Sequence, residues 1–397
     1  MSSASPYVVK RDRIKHDPLL GKRLLSELDI ELTERCNNNC IHCYINLAAD
    51  DRQARLRELG TEEWQDILHQ AADAGAMMVT LTGGEPLLRE DFADIYLYAR
   101  RLGLKIQLNT NARLITPEIG ELFVRMPPGQ RIEVTVYGMN ERSYEAATRV
   151  PGSYGEFWRG IEVLLQRHIP FGVRMAVLPP NEGEVEPFEA WAQTIPGMNG
   201  GLPGYVMSLQ LRTRRDSQIR NRQIVGLRLP AEAQVKLLTR HAAGYRRHMA
   251  RFLAKFGYAR GDRLFTCGAG KGGCVDAYGF LQPCMNLRHP ALVHDLKKES
   301  LRSAHPRMFP SLRQLRASNP EYLSRCARCF LADMCGQCPG WSWAEHGTLD
   351  TPVDYLCQAA HAQARYLGLL AEEEMAWQVS DWSDRIAHLV RRTGVHV

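Results

Sequence analysis

Six short apolar runs recur between residues 28 and 211: 28–32 (LDIEL), 78–81 (MVTL), 104–108 (LKIQL), 132–137 (IEVTVY), 173–178 (VRMAVL) and 206–211 (VMSLQL). Each is strand-sized. Between them lie segments with the spacing of amphipathic helices, such as 61–74 (TEEWQDILHQAADA) and 153–167. Thr61 followed by Glu62 and Glu63 reads as a capped helix start with acidic residues in its first turn. Strands alternating with helices predict an α/β fold of parallel β/α units. Six units form a partial (β/α)6 barrel, short of the eight that close a full one.

Pro/Gly punctuation at 195–204 (IPGMNGGLPG) predicts a loop before the sixth strand. A basic stretch at 211–228 and a helical segment at 230–256 follow. The region 265–357 has few periodic patterns and many turns, so metal sites are expected to hold it together. Residues 358–373 predict a terminal helix. The expected organisation is an N-terminal extension (1–27), the partial barrel (28–220), a helical bridge (221–264), a cysteine-rich domain (265–360) and a helical tail (361–397).

Composition narrows the class. The 397 residues are 45% hydrophobic and 24% charged, as in ordinary globular proteins. A net charge of +6 is too small to direct the chain to nucleic acid, and no apolar run has the length of a membrane span. Without an apolar signal core at the N-terminus, the expected location is the cytoplasm. The 11 cysteines are odd in number and clustered, which in a reduced compartment points to metal or catalysis rather than disulfides.

Cys36, Cys40 and Cys43 fall in eight residues directly after the first strand. Three cysteines can hold three corners of an iron–sulfur cubane and leave one iron open. A zinc loop completed by His42 or a distant ligand is the alternative. The end of the first strand is where β/α barrels place their chemistry. The next unit ends in Thr82, Gly83, Gly84, Glu85 and Pro86. Paired glycines permit close backbone approach, and Glu85 can accept from an ammonium group.

The CxxxCxxC loop followed by GGEP resembles the radical S-adenosylmethionine (radical SAM) superfamily; His42 stands where that family often has an aromatic residue. The resemblance implies a [4Fe–4S] cluster on Cys36, Cys40 and Cys43. S-Adenosylmethionine would chelate its open iron and be cleaved by one electron to a 5′-deoxyadenosyl radical that abstracts hydrogen from substrate. Carried over position by position, the cofactor contacts are Tyr44, Gly83, Gly84, Glu85, Pro86, Asn109, Thr135 and Arg149. Read without the resemblance, Asn109 is a turn residue, Thr135 an ordinary strand residue, Arg149 a surface charge and Tyr44 a packing residue.

The other eight cysteines resemble the SPASM extension, which carries two auxiliary [4Fe–4S] clusters. This implies Cys267, Cys274, Cys284 and Cys338 for the first and Cys326, Cys329, Cys335 and Cys357 for the second, three clusters in all. A pair of zinc knuckles is the alternative. SPASM-bearing enzymes mostly modify peptides, so the implied function is a peptide-modifying maturase with a peptide substrate. The implied partners are a low-potential donor such as flavodoxin or ferredoxin and a separate leader-recognition protein, since 27 residues before the first strand are too few for an independent domain. Action on a tetrapyrrole or quinone precursor in cofactor biosynthesis is the alternative. A non-enzymatic metal protein that binds nucleic acid would need a concentrated basic surface. The base of sulfatase-maturating enzymes is expected just after Cys284, where this chain has Met285 and Asn286. Asp276 and Tyr278 are the remaining catalytic candidates, with turn and packing roles as the plainer reading. The basic residues Arg212, Arg214, Arg215, Arg220 and Arg222 suggest either an acidic-peptide contact or a solvated face.

Overall fold

The computed structural model describes residues 25–198 and 201–395, so most of the N-terminal extension lies outside the described residues. The chain forms two compact units, one from the described parts of Met1–Leu227 with Gly268–Pro310, the other from Arg228–Cys267 with Ser311–Val397.

The first unit is built on a sheet whose six N-terminal strands are parallel: β1 (Glu27–Thr33), β2 (Met78–Gly83), β3 (Lys105–Thr110), β4 (Ile132–Val136), β5 (Phe171–Ala176) and β6 (Gly204–Val206). Alternation gives each strand two faces. Leu28, Ile30 and Leu32 of β1, Ile106 and Leu108 of β3, and Val134 and Val136 of β4 are fully buried. The opposite face is polar and carries Glu31, Gln107, Asn109, Glu133 and Thr135. Helices α1 (Thr61–Asp73), α2 (Phe92–Arg101), α3 (Pro117–Arg125), α4 (Glu141–Thr148), α5 (Ser153–Gln166) and α6 (Val185–Thr194) connect the strands. In α1 the N-cap is Gly60, whose N–H donates to Glu63 at 2.8 Å, while Thr61 is the first helical residue. Trp64, Ile67, Leu68, Ala71 and Ala72 form its buried stripe.

Two features depart from expectation. The sixth strand is three residues long and starts earlier, because β6 pairs only with the end of β5, from Arg174↔Gly204 to Ala176↔Val206. On the other edge the sheet continues: β7 (Cys274–Val275) lies parallel to β1, and β8 (Phe280–Gln282) and β9 (His294–Asp295) follow antiparallel. Part of the cysteine-rich region thus extends the barrel sheet. A further helix of this unit, α7 (Gln218–Gly226), begins at Ser217, whose hydroxyl accepts from Arg220 N.

The second unit is helical, with α8 (Ala231–Leu238), α9 (Ala242–Phe256), α10 (Pro339–His346), α11 (Asp354–Tyr366) and α12 (Trp382–Thr393). The segment expected as one helix at 230–256 is two, joined by a 3-10 turn at Thr239–His241. The helix expected at 358–373 is α11, which starts at Asp354 and ends before Gly368 (φ +75°), and α12 follows it. Leu253, Phe330, Leu331, Leu369, Ile386 and Leu389 share one apolar cluster, so this unit has a core of its own besides its cysteines.

Candidate active site

The cysteine loop leaves the end of β1 and is pinned from several sides. Asn39 N donates to Thr148 O at 2.9 Å and Ile41 N to Ala147 O at 3.0 Å. Two backbone N–H groups point at sulfur: Asn38 N to Cys36 Sγ at 3.3 Å and Asn46 N to Cys43 Sγ at 3.4 Å. Arg113 donates to Asn37 O and Asn38 Oδ1 while paired with Glu156. Burial first, then the neighbouring Cys43, pushes the Cys40 thiol up to about 12. Burial also holds the His42 imidazole down at about 4, so it is neutral. Asn37 Nδ2, Asn38 Nδ2 and His42 Nδ1 are buried without a hydrogen-bond partner among the described residues. Three thiols within eight residues, two of them, Cys36 and Cys40, with pKa raised by burial, together with sulfur-directed N–H groups and unpaired amide donors fit an iron–sulfur cluster, whose cation favours thiolates and whose sulfurs accept hydrogen bonds.

The two glycines after β2 have a physical reason of their own. A Cβ on Gly83 would stand 2.2 Å from Thr33 O, and one on Gly84 2.2 Å from Arg35 O. Both contacts are with backbone entering the cysteine loop, fixed by Gly84 N to Thr33 O at 2.7 Å and Glu85 N to Arg35 O at 3.0 Å. Gly84→Ala is therefore expected to displace the loop at a cost of about 1–3 kcal/mol. A thermal melt and the iron content after reconstitution check this; wild-type values in both would show that the loop yields freely.

Glu85 is fully buried and accepts from Thr110 Oγ1 at 2.8 Å, Asn111 N at 2.8 Å and Leu87 N at 3.2 Å. It ties the end of β2 to the end of β3. Asn111 in turn donates to Asn37 Oδ1 at 2.7 Å and lies 3.8 Å from Cys36 Sγ. Burial raises the Glu85 pKa to about 7. Pro86 opens a buried 3-10 turn. Asn109 and Thr135 sit on the polar strand face, with Asn109 opposite Glu133 and Thr135 opposite Arg174. Arg149 is an exposed left-handed cap of α4, and the Tyr44 carbonyl accepts from Thr213 N at 3.2 Å. Asn111 and Arg113, absent from the sequence-derived site, hold the loop. Their signal was their place just past β3.

The sequence reading also missed a buried charge network in this unit. Arg288 pairs with Glu31 at 2.6 Å and lies 3.5 Å from both Glu34 and Asp276; Arg214 pairs with Glu34 at 2.6 Å and with Asp276 at 3.0 Å. Tyr278 donates its hydroxyl to Glu34 at 2.9 Å. Asp276 Oδ1 accepts from Tyr278 N and Phe280 N, a turn-forming role, while its Oδ2 takes Arg214 and Gln282. Neither an open solvated face nor a free peptide contact describes Arg212 and Arg214. Arg212 is buried, bound to Asp216 and to Asn46 O. Arg220 donates to Asn46 Oδ1 and Asn39 Oδ1. Arg212, Asp216, Ser217 and Arg220 line a cavity of about 500 Å³ beside Cys36, Asn38 and Val150.

In the second unit Cys326, Cys329, Cys335 and Cys357 line one small cavity. Burial, with Cys357 as a repelling neighbour, pushes Cys326 and Cys329 to about 12, so four thiolates need a compensating cation there. This fits a four-cysteine cluster. Of the other set, Cys274 and Cys284 belong to the first unit and Cys267 and Cys338 to the second. Among the described residues no three His, Cys, Asp or Glu converge on a point that would hold a single metal ion.

A partial parallel barrel with a three-cysteine loop at the end of its first strand defines a radical SAM enzyme, and residues 30–192 match the Radical SAM superfamily. Eight of the chain's eleven cysteines lie C-terminal to the matched residues. The chain is 29% identical over 335 residues to an AdoMet-dependent heme synthase of Methanosarcina barkeri, covering 80% of this chain and 92% of that protein. It is 43% identical over 102 residues to a PqqA peptide cyclase of Streptomyces rochei, covering 26% of this chain and 27% of that one. Its fold resembles Streptococcus suis SuiB bound to S-adenosylmethionine, with TM-score 0.58 and 17% identity over 80% of this chain and 74% of that one. Among the described residues no helix is long and apolar enough to cross a membrane.

Proposed function

We propose that this radical SAM enzyme acts in cofactor biosynthesis, on a carboxylate-bearing tetrapyrrole precursor. The carrying observation is the collinear similarity to a heme synthase over 92% of that protein's length. The cavity beside Cys36 supports it: two arginines against one aspartate leave a cationic surplus suited to carboxylates. Cys36, Cys40 and Cys43 would hold the cluster, which when bound supplies the electron that cleaves S-adenosylmethionine to methionine and a 5′-deoxyadenosyl radical. Gly83, Gly84, Asn109, Thr135, Arg149, Tyr44 and Pro86 would position the cofactor. Glu85 would keep the two strand ends in register beneath it.

The test is anaerobic turnover of reconstituted enzyme with Fe-coproporphyrin III. Substrate-dependent 5′-deoxyadenosine and a mass change in the porphyrin support the reading; no stimulation over the uncoupled background removes it. Peptide modification is the second reading, favoured by the 43% identity to a PqqA peptide cyclase. A modified peptide from the same assay would establish it instead.

In either reading the cysteines of the second unit would hold an auxiliary cluster. Cys329→Ala with Cys335→Ala is expected to leave 5′-deoxyadenosine formation at a measurable level while abolishing product. Wild-type product yield from that variant would make the cavity a scaffold only.

A further inference from the structure

The cavity of four cysteines in the second unit contains two arginines whose bonding is incomplete in the same way. Arg260 donates through Nη1 to Gln337 O at 3.1 Å and through Nη2 to Asp333. Arg325 donates through Nη1 to Glu321, and through Nη2 to Asp354 at 2.8 Å and toward Cys357 Sγ at 3.7 Å. It also lies over the Trp377 ring, 5.0 Å from the centroid. In both residues Nε is buried and has no partner among the described residues, although both line the cavity. A buried donor left unpaired is costly, more so when it is charged. Two such donors bordering one cavity point to an acceptor inside it.

A third group has its proton placed by its partners. Ala376 N donates to His361 Nε2 at 3.1 Å, so that nitrogen carries a lone pair. The proton is then on Nδ1, which faces Cys357 O at 2.9 Å and Cys357 Sγ at 3.5 Å. Cys357 therefore meets a guanidinium and a neutral imidazole N–H.

We infer that Arg260, Arg325 and His361 form a donor clamp that sets the reduction potential of an iron–sulfur cluster on Cys326, Cys329, Cys335 and Cys357. The inference rests on the cluster reading of this cavity. Hydrogen bonds and positive charge at the sulfurs stabilise the more negative, reduced cluster and raise its potential. All three are positioning residues and carry no bond to iron. Asp333, Glu321 and Asp354 hold the two guanidiniums in place from outside, which fixes each Nε toward the cavity.

The experiment is an EPR-monitored redox titration of the full chain in a background in which Cys36, Cys40, Cys43, Cys267, Cys274, Cys284 and Cys338 are replaced by Ala, so that no other cluster contributes. Arg325→Gln and Arg260→Gln are each expected to lower the reduced-to-oxidised ratio about tenfold at a fixed potential, a shift of about 59 mV to lower values. Arg325→Lys, which keeps the charge but lacks the Nε–H, is expected to shift less than Arg325→Gln. His361→Phe is expected to shift in the same direction. Unchanged potentials in all variants with the same iron content would overturn the clamp. Failure of the cluster reading looks different: the background protein would keep its iron and its EPR signal when Cys326, Cys329, Cys335 and Cys357 are replaced by Ala. Should a Gln variant lose its fold, judged by circular dichroism, Arg325→Lys and His361→Phe decide the matter alone.

Discussion

A variant carrying Cys36→Ala, Cys40→Ala and Cys43→Ala is expected to form no 5′-deoxyadenosine at any substrate concentration. If three cubane clusters are present, it should lose about a third of its iron. The physical basis is local. The loop offers three thiols, of which Cys36 and Cys40 are raised by burial and by neighbouring thiols, with sulfur-directed N–H groups and unpaired amide donors beside them. The variant should fold, because β1 and its partners are held by Leu28, Ile30 and Leu32, none of which touches the chemistry. Iron analysis and product chromatography check the prediction. Residual cleavage at more than background would place the reactive cluster elsewhere in the chain.

Arg288→Met is expected to destabilise the protein by about 3–5 kcal/mol, the range for removing one partner of a buried ion pair. It leaves Glu31, Glu34 and Asp276 buried with Arg214 as the remaining counter-charge. The pH dependence carries a defined sign. In the wild type burial already lifts Glu31 from 4.5 to about 7, although Arg288 opposes the shift. A carboxyl whose folded pKa lies above its unfolded value stabilises the fold least at high pH and regains stability as pH falls through the folded value. Removing Arg288 raises that value further. The loss should therefore be largest near pH 8 and shrink toward pH 5, read as urea midpoints at matched ionic strength. A pH-independent loss would mean that Arg288 acts by packing alone.

Much of the barrel was legible because local pattern and tertiary packing agree. The alternation in LDIEL and IEVTV follows from strands with one aliphatic face, and both runs are strands. The cysteine loop was legible because all three sulfurs come from eight consecutive residues. The sixth strand was misplaced because VMSLQL has strand composition, whereas its length is decided by how much of β5 remains to pair with it. Similarly, nothing in the turn-rich composition of the cysteine region announces that Cys274–Val275 adds to the β1 edge. Register with a strand more than two hundred residues away is a tertiary choice.

Local sequence alone thus carries the parallel strands, the cysteine loop and the GGEP turn beside it. These rest on short-range spacing, which the chain carries locally. Where the buried charges go is settled by packing between distant segments. Arg214 lies in a basic stretch that suggests either a peptide contact or a solvated face, yet it meets Glu34 and Asp276 inside the first unit, where Arg288 pairs with Glu31. The same holds for Glu85, whose carboxylate joins two strand ends. The physical reason is desolvation: a charge can be buried only where opposite charges and donors converge, and that convergence comes from segments far apart in sequence.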